Sequence, residues 1–439
     1  MSFSLGLPLR YLKPGAAARR DIAAGFFHAG FRRTLENYCK LLAGNSARLG
    51  LQAVYFFLLA NTLSLAAMGI FASASAVGLM LASFSGLGFG SLAFRAAAGR
   101  PRLLVNYLGL FYGGLVLTTP LGLAAALPVY FWLFEGSISL PAFLAILVVE
   151  AVLWRIIDVI VLAQNGLGRF TTGALVVTAA SAIRAGGAVA FVLMGGGDVE
   201  RWSLYYFASN LVALLVVFLV FRPPVRPRWR SRLFVSRFRD GAMFALSYFA
   251  LNAQGQIDKL IVLSLADARF AGIYAISSRI VDFTALPFRS FYTLYTRKLF
   301  GEGKRIRNAL GRTLKVEGAI LGLSVLGFAA LALLLWRWPL LLGANVAVAA
   351  HLFLLMLLVP AFRNLMEFHG ELFFVYGRMT ARAAVAVALV TLNAAALALL
   401  LSTTADSFTI GLWLNAVYGG LYLLSAAALY RFVTGGVRT

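Results

Sequence analysis

Long apolar blocks repeat along this chain from about residue 49 to residue 430, and short gaps rich in polar or small residues separate them. A helix needs about 20 predominantly apolar residues to cross a bilayer. The pattern therefore predicts twelve membrane-spanning helices, over residues 48–66, 70–94, 103–133, 140–164, 171–195, 203–221, 241–265, 271–296, 316–336, 346–376, 380–402 and 408–430. The third and tenth blocks are long enough to kink, and Pro120 and Pro360 lie where a kink is expected.

Cationic residues fall mainly in every second gap between the apolar blocks. The most basic gap, from Arg222 to Arg239, contains seven arginines. The gaps that alternate with the basic ones are short and carry five acidic residues, which are Glu135, Asp198, Glu200, Asp267 and Asp406. Because loops rich in Lys and Arg stay on the cytoplasmic side, the sequence predicts a multi-pass membrane protein with both termini in the cytoplasm.

Composition supports a membrane protein. The chain is 61% hydrophobic and 13% charged, with a mean hydropathy of +0.86, whereas a soluble domain is about half apolar and a quarter charged. The net charge of +23 comes mostly from predicted cytoplasmic segments, which favour the anionic lipid of the inner leaflet. Membrane lipid is thus the expected partner, and nucleic acid is not. A single cysteine, Cys39, excludes an intrachain disulfide.

An internal repeat predicts two similar halves. The segment from Leu63 to Val77 matches the segment from Leu263 to Val281, and both contain Gly-Ile-aromatic-Ala. Their offset of six predicted spans keeps both halves in the same orientation, as in a parallel duplication. We therefore expect an all-α integral membrane protein built from a bundle over 46–221, a basic linker over 222–240, a bundle over 241–430 and a tail over 431–439. Residues 1–45 are either an amphipathic helix on the inner leaflet or a solvated tail.

Ionisable residues within the predicted spans point to a polar interior. They are the bases Arg155, Arg184, Lys259, Arg279, Arg289 and Arg363, and the acids Glu150, Asp158, Asp258, Asp282, Glu317, Glu367 and Glu371. Each costs about 2.5–3.5 kcal/mol if it faces lipid at a helix centre. These side chains are therefore expected to face one another or a hydrated cavity between the halves.

Some of these charges have neighbours on their own helix. Three pairs share a helix face, which are Arg155 with Asp158, Arg279 with Asp282, and Arg363 with Glu367. Glu317 and Arg289 are expected to reach the cytoplasmic headgroups and Lys259 the outer face.

Three further charged residues have no partner on their own helix. For Arg184, Glu150 and Asp258 the alternatives are a role in the cavity or a role in helix packing. A cavity of mixed charge with a cationic bias suits a bulky anionic substrate.

The chain resembles a known family at several points. Asn61 to Val77, Ser83 to Gly90 and Phe94-Arg95 resemble the opening two helices of the polysaccharide biosynthesis (O-antigen and exopolysaccharide) flippases. In the second half the resemblance lies in Gln256 to Val262, Ala271 to Ile276, Arg279-Ile280 and Leu286-Pro287. This family belongs to the MOP superfamily, which also contains the MATE multidrug exporters and the lipid II flippases. The resemblance covers about residues 46–430.

The resemblance implies two six-helix bundles in a V that opens alternately to the two sides of a bacterial inner membrane. It implies an undecaprenyl-pyrophosphate-linked oligosaccharide as substrate, with polysaccharide polymerases or glycosyltransferases as partners. Asp258 matches an acidic position of the family. The expected roles are substrate binding for the arginines and coupling to H⁺ or Na⁺ for the acids. The residues are Arg155, Arg184, Arg279 and Arg363 for the substrate, and Glu150, Asp258 and Glu367 for the ion.

Other classes of protein compete with this one, among them a structural membrane scaffold in which the buried charges only lock helices together. A MATE exporter of cationic drugs shares the architecture, but the arginines within the spans disfavour it. A membrane-bound polymerase or ligase needs a large outer loop, and every outer gap here is about ten residues or fewer. The histidines, His28, His351 and His369, show no metal-ligand spacing, and no phosphate-binding glycine loop is present. The sequence therefore predicts no metal, no cofactor and no enzymatic activity.

Overall fold

A computed structural model describes residues 49–302, 309–376, 378–403 and 406–435. The predictions for residues 1–45 and Cys39 lie outside these ranges. The helices of the first half are α1 (Leu49–Thr62), α2 (Leu65–Ala82), α3 (Phe89–Gly99), α4 (Leu104–Leu133), α5 (Leu140–Val148), α6 (Trp154–Gly166), α7 (Phe170–Leu193) and α8 (Val199–Phe221). Those of the second half are α9 (Ser231–Gln254), α10 (Ile257–Leu265), α11 (Ala268–Glu302), α12 (Ala309–Arg337), α13 (Ala344–Leu355), α14 (Val359–Val375), α15 (Met379–Thr403) and α16 (Ser407–Gly435).

Within the described ranges the chain contains no strand, and the predicted all-α membrane fold of two six-helix bundles is confirmed. Among the described residues, seven helices are long and apolar enough to cross a membrane. Helices α13 and α14, bent by 75° relative to each other, give an eighth if the pair is counted as one span. The remaining predicted spans are shorter, interrupted or more polar helices. They are α1, α5 with α6, α9 with α10, and α11. The predicted bend near Pro360 is present, whereas α4 continues through Pro120.

Local sequence explains where several helices begin and break. Ser64 caps α2 by accepting a hydrogen bond from the amide of Ala67 at 3.1 Å. The second predicted span is broken between α2 and α3, because Gly86, Leu87 and Gly88 all have positive φ angles. The basic linker is shorter than predicted, because α9 begins at Ser231. The polar residues after Gln254 interrupt the seventh span before α10.

The remainder of the basic linker lies against the first bundle. The amide of Arg228 donates a hydrogen bond to the carbonyl of Val105 at 3.0 Å. The indole of Trp229 lies beside Gly113 on α4 and packs on the ring of Phe234 in α9. The linker is therefore fixed to α4 before the second bundle begins.

The two copies of the internal repeat contact each other. Helices α2 and α11 form the most extensive helix pair among the described residues. A Cβ atom at Gly272 would overlap the carbonyl oxygen of Leu65, and one at Gly69 would overlap that of Ala268. These two glycines are the shared glycines of the repeat. The repeat thus builds a close crossing of backbones between the two bundles.

A set of amide hydrogen bonds joins the bundles at the same end. Asn345 donates to the carbonyls of Ala60 and Leu63, both at 2.8 Å, and Asn61 donates to that of Leu342 at 2.7 Å. This end carries the short acidic gaps of the sequence and is named the acidic end here. The opposite end, which carries Arg222 to Arg239, is named the basic end. The bundles are closed against each other at the acidic end.

Candidate functional site

Arg184 lies inside the first bundle, surrounded by aromatic rings. Its guanidinium carbon lies 4.6 Å from the ring centre of Tyr55, 4.8 Å from that of Tyr206 and 5.3 Å from that of Trp154. Its Nη2 atom donates to the Tyr206 hydroxyl and lies 3.6 Å from Oε1 of Glu150. Arg184 and Glu150, which have no partners on their own helices, are therefore partners of each other across the bundle.

Glu150 occupies a turn of π-helix, Val149–Leu153, between α5 and α6. Turns of this kind are frequent at functional sites. Its Oε1 atom accepts hydrogen bonds from the hydroxyls of Ser75, at 2.7 Å, and Tyr206. The side chain is 4% exposed. The cation and the two hydroxyl donors compensate this buried carboxylate, so loss of one partner would leave charge uncompensated in an apolar interior.

A small cavity of about 30 Å³ links the cluster of Arg184 to the second bundle. Its lining residues are Gln52, Tyr55, Trp154, Ser181, Arg184 and Arg279. Arg279 belongs to α11, is exposed, and stacks over the ring of Phe283 at 5.5 Å. No carboxylate of the described residues lies within ion-pair distance of Arg279. Two of the four predicted substrate arginines thus meet between the bundles.

A larger cavity of about 290 Å³ lies within the second bundle. Three ion pairs are on its wall. Arg363 contacts Asp282 at 2.7 Å, Arg289 contacts Glu367 at 2.7 Å, and Arg382 contacts Glu371 at 3.3 Å. The amide-bearing Gln254, Asn364 and Asn393 add neutral polar groups to this wall. The wall is polar but its charges are paired.

Asp258 is buried at the start of α10. One of its carboxylate oxygens accepts a hydrogen bond from the hydroxyl of Tyr274, and the other accepts from the amide of Lys259, both at 2.9 Å. The ammonium of Lys259 instead donates to Oε1 of Gln256 at 2.6 Å and to the carbonyl of Gly255. Lys259 therefore points back along its helix and not toward the outer face, which corrects the prediction made for it.

Arg155 is the remaining predicted substrate residue. It is 7% exposed, and its Nε and Nη2 atoms have no hydrogen-bond partner among the described residues. Its guanidinium lies 5.7 Å from the ring centre of Tyr248 on α9. A buried guanidinium with unsatisfied donors is unfavourable unless an acceptor reaches it. This side chain is available to an anion that enters between α6 and α9.

The predicted ion pairs within single helices are wrong. Arg363 pairs with Asp282 of α11, and Glu367 pairs with Arg289, so each of these contacts joins two helices. Arg155 and Arg279 form no ion pair within the described ranges. Spacing of three or four residues places two side chains on one helix face, but the packing of neighbouring helices supplied closer partners.

A buried polar cluster around His369 was not predicted from the sequence. Its Nε2 atom lies 3.0 Å from Oε1 of Glu317, and its Nδ1 atom lies 2.9 Å from the hydroxyl of Ser425. Glu317 also accepts from Tyr422, at 3.0 Å, and from Tyr430. Glu317 is 4% exposed, so the prediction that it reaches the headgroups is wrong. The available signal was Glu317, the single charged residue of the predicted block 316–336, whereas His369 lies between Glu367 and Glu371.

Solved structures show the same fold. A multidrug resistance MATE family transporter of the MOP superfamily, in an inward-facing conformation, superposes with a TM-score of 0.64 at 15% identity, covering 87% of this chain and 93% of that one. A crystal structure of MATE in complex with MaL6 gives a TM-score of 0.54 at 15% identity, covering 90% and 94%. No functionally curated protein matches the sequence significantly. The fold is that of multi-pass membrane transporters of the MOP superfamily.

The family follows from the sequence itself. The family model described as "Polysaccharide biosynthesis protein" matches residues 34–288, which is more than half of the chain. The chain therefore belongs to the polysaccharide biosynthesis protein family. The predicted resemblance to a MATE-like member of the MOP superfamily is confirmed, and both family and fold are those of membrane transporters.

Proposed function

We propose that this protein is a flippase for lipid-linked oligosaccharides. The substrate is an undecaprenyl-pyrophosphate carrying an oligosaccharide repeat unit, and it moves from the cytoplasmic to the outer leaflet of a bacterial inner membrane. The product feeds the synthesis of a surface polysaccharide such as O-antigen or exopolysaccharide. In this orientation the basic end and both termini face the cytoplasm, because Arg222 to Arg239 lie there. The released repeat unit is then available to a polymerase or glycosyltransferase partner.

The observation that carries this proposal is the uncompensated cationic charge between the bundles. Arg279 has no carboxylate partner in the described part of the chain and shares a cavity with Arg184. Arg155 is buried with unsatisfied donors. A pyrophosphate supplies the missing acceptors, because a guanidinium forms paired hydrogen bonds with phosphate oxygens. Arg184 and Arg363 already have carboxylate partners, so we assign them a weaker share of substrate binding.

The exporter of cationic drugs is the alternative function, and the cluster around Glu150 bears on it. The rings of Tyr55, Trp154 and Tyr206, with the carboxylate of Glu150 nearby, form a suitable site for a cationic ligand. Here the guanidinium of Arg184 occupies that site. The chain thus fills its own cation site and leaves Arg279 exposed, which favours an anionic substrate.

Transport in this proposal proceeds by alternating access. The acidic end is closed by hydrogen bonds that the side-chain amides of Asn61 and Asn345 donate, so substrate enters from the basic end. Opening of the acidic end and closure of the basic end then release it to the outer leaflet. An H⁺ or Na⁺ gradient drives the cycle, with Glu150, Asp258 and Glu367 as the coupling residues expected from the sequence.

The test replaces Arg279 with alanine in cells that depend on this chain. Translocation of the lipid-linked oligosaccharide is expected to slow by about ten- to hundredfold, because a hydrogen bond to a charged group contributes about 1.5–3 kcal/mol. The cytoplasmic pool of the intermediate, measured as the fraction that an impermeant glycosidase added outside spheroplasts does not cleave, should rise accordingly.

Arg337→Ala is the matched control for this test. Arg337 also lies over an aromatic ring, that of Trp338 at 5.4 Å, but at the acidic end. If cells without the chain accumulate no intermediate but change in their sensitivity to drugs, the protein is an exporter instead. Full transport by R279A would show that Arg279 does not contact the substrate.

A further inference from the structure

We infer that His369 and Glu317 form a proton-binding site in the second bundle, and that this site couples transport to a proton gradient. The inference rests on the proposed function for its role in transport, but the site itself is defined by geometry alone. His369 is fully buried in α14, and Glu317 is buried in α12. Neither residue was among those expected to couple transport to an ion.

The cluster is hydrogen-bonded with and without a bound proton. With a neutral imidazole, Nε2–H donates to Glu317 at 3.0 Å and Nδ1 accepts from the hydroxyl of Ser425 at 2.9 Å. When a proton binds at Nδ1, that nitrogen donates to the Ser425 oxygen, whose own hydrogen turns away. Only a hydroxyl rotation separates the two states, since serine both donates and accepts. Neither state leaves a ring nitrogen unsatisfied.

Glu317 is held in its ionised form by its donors. Its Oε1 atom accepts from His369 and Tyr430, and its Oε2 atom accepts from Tyr422 at 3.0 Å. Without a bound proton the cluster carries one negative charge, and with the proton on His369 it is neutral. A net charge in the apolar interior is costly. Proton binding therefore changes the free energy of any rearrangement of α12, α14 and α16.

The hydrogen bonds also form a path for the proton. Ser425 lines the cavity of about 290 Å³, so its hydroxyl links His369 to that polar space. On the other side, Glu317 contacts Tyr430, which lies in the last turns of α16 at the basic end. The path thus runs from the cavity through Ser425, His369 and Glu317 to Tyr430. Chains of this kind within membrane spans carry protons in transporters.

Other titratable groups near the cluster are already engaged. The ring of Tyr422 stacks on the imidazole at 5.5 Å. On α11, Tyr292 donates to the carbonyl of Asn364, and Arg289 pairs with Glu367. On α15, Arg382 pairs with Glu371. Tyr376 of the same bundle packs in the surrounding apolar cluster. Of the three carboxylates first expected to couple transport, Glu150 and Glu367 are each held by an arginine. Glu317 is held instead by an imidazole, which has a second nitrogen that can bind a proton.

Proton binding is tested first without any transport. The chain has three histidines, so ¹⁵N-histidine labelling of the full protein in nanodiscs gives few resonances, which single substitutions assign. Between about pH 5 and pH 8 the His369 signal is expected to change from the neutral to the charged pattern. Glu317→Gln should shift that transition, and His351→Gln, which removes an exposed histidine of α13, should not. A His369 signal that is constant over this range overturns the proposal.

Coupling is tested next in inverted membrane vesicles. The ratio of translocation rates with and without a proton gradient is expected to exceed one for the wild type and for H351Q, and to fall to one for H369Q and E317Q. Glutamine keeps a hydrogen-bond donor and an acceptor at these positions but does not titrate. Monodisperse elution of the variants in size-exclusion chromatography checks that they fold.

Each other outcome of the vesicle assay has its own meaning. If translocation by the wild type responds to a sodium gradient and not to a proton gradient, His369 and Glu317 have no coupling role. Absence of translocation by the wild type overturns the proposed function, and the histidine titration still decides the proton site.

Discussion

Arg184 and Glu150 show how a charge pair is accommodated in an apolar bundle. The guanidinium is in contact with three aromatic rings, and the carboxylate accepts from Ser75 and Tyr206. Removal of one member of a buried pair leaves the other charge without compensation, while replacement of both is close to neutral. Each charge is therefore tolerated inside the bundle only because the other is present.

We expect Arg184→Met to lower the free energy of unfolding by about 3 kcal/mol, because it leaves Glu150 buried and unpaired. The double variant R184M/E150Q should recover most of this loss. The measurement is a double-mutant cycle by SDS titration in bicelles, with Arg337→Met as the control for loss of an exposed arginine. Strictly additive effects of the two substitutions would show that the pair is not coupled.

The ion-pair partners of the charged residues were the part of the site that the sequence predicted least well. The charged residues themselves were identifiable, because each interrupts an apolar block. Their partners were not, because Arg363 and Glu367 lie four apart on one helix yet each binds a residue of α11. His369 was considered only as a metal ligand, and its partner Glu317 lies in a different span. Contacts between helices depend on packing that one sequence does not encode locally.

Among the described helices, α2 and α11 form the most extensive pair, and their crossing joins the two bundles. Each glycine at the crossing lies against the backbone of the other helix, so that neither position has space for a Cβ atom. Close packing of this kind is typical of helices in membranes, where small residues let backbones approach. The crossing closes the acidic end and has to separate when that end opens.

Gly272→Ala is therefore expected to destabilise the closed acidic end by about 1–3 kcal/mol, the usual range for overpacking. In a Cys39→Ser background, a Ser73→Cys reporter near this crossing should react at least about fivefold faster with an impermeant maleimide. Ser73 is 1% exposed in the closed arrangement. Gly327→Ala is the control, because a Cβ there meets nothing within 4 Å. Equal labelling of the two variants would show that the crossing does not control opening.

Most helices were predictable because long apolar blocks have few alternatives in a membrane protein. The breaks were harder to place. The run from Ser83 to Gly90 was recognised as a family feature, but its effect came from the structure. Its three residues with positive φ angles separate α2 from α3. The start of α9 at Ser231 was missed because arginines dominate that segment, although a helix at a membrane surface tolerates them.

For the molecule as a whole, closure at the acidic end defines which side is accessible. Asn61 and Asn345 meet there, because the backbone amide of Asn345 donates a hydrogen bond to Oδ1 of Asn61 at 3.3 Å. The hydrogen bonds of Asn345 to Ala60 and Leu63, and of Asn61 to Leu342, join one bundle to the other. If the bundles move as two bodies during transport, this contact has to break in every cycle.

A disulfide between Asn61→Cys and Asn345→Cys, in a Cys39→Ser background, is thus expected to abolish translocation reversibly. Reductant should restore the rate, as measured by the same glycosidase accessibility. The control pair, Ser139→Cys with Glu200→Cys, joins two side chains 2.6 Å apart within the first bundle and should leave transport intact. Transport by the oxidised N61C/N345C protein would exclude opening at this end.

The glycine crossing also bears on the origin of the chain. Gly69 and Gly272 hold the same place in the repeat, and each accommodates the backbone of the other copy. A chain of half the length, with one such glycine, would form the same contact with a second copy of itself across a two-fold axis. A homodimer of six-helix subunits is thus a workable ancestor. Duplication of its gene and fusion of the two copies would have kept the contact while allowing Arg279 and Glu150 to diverge on opposite sides of it.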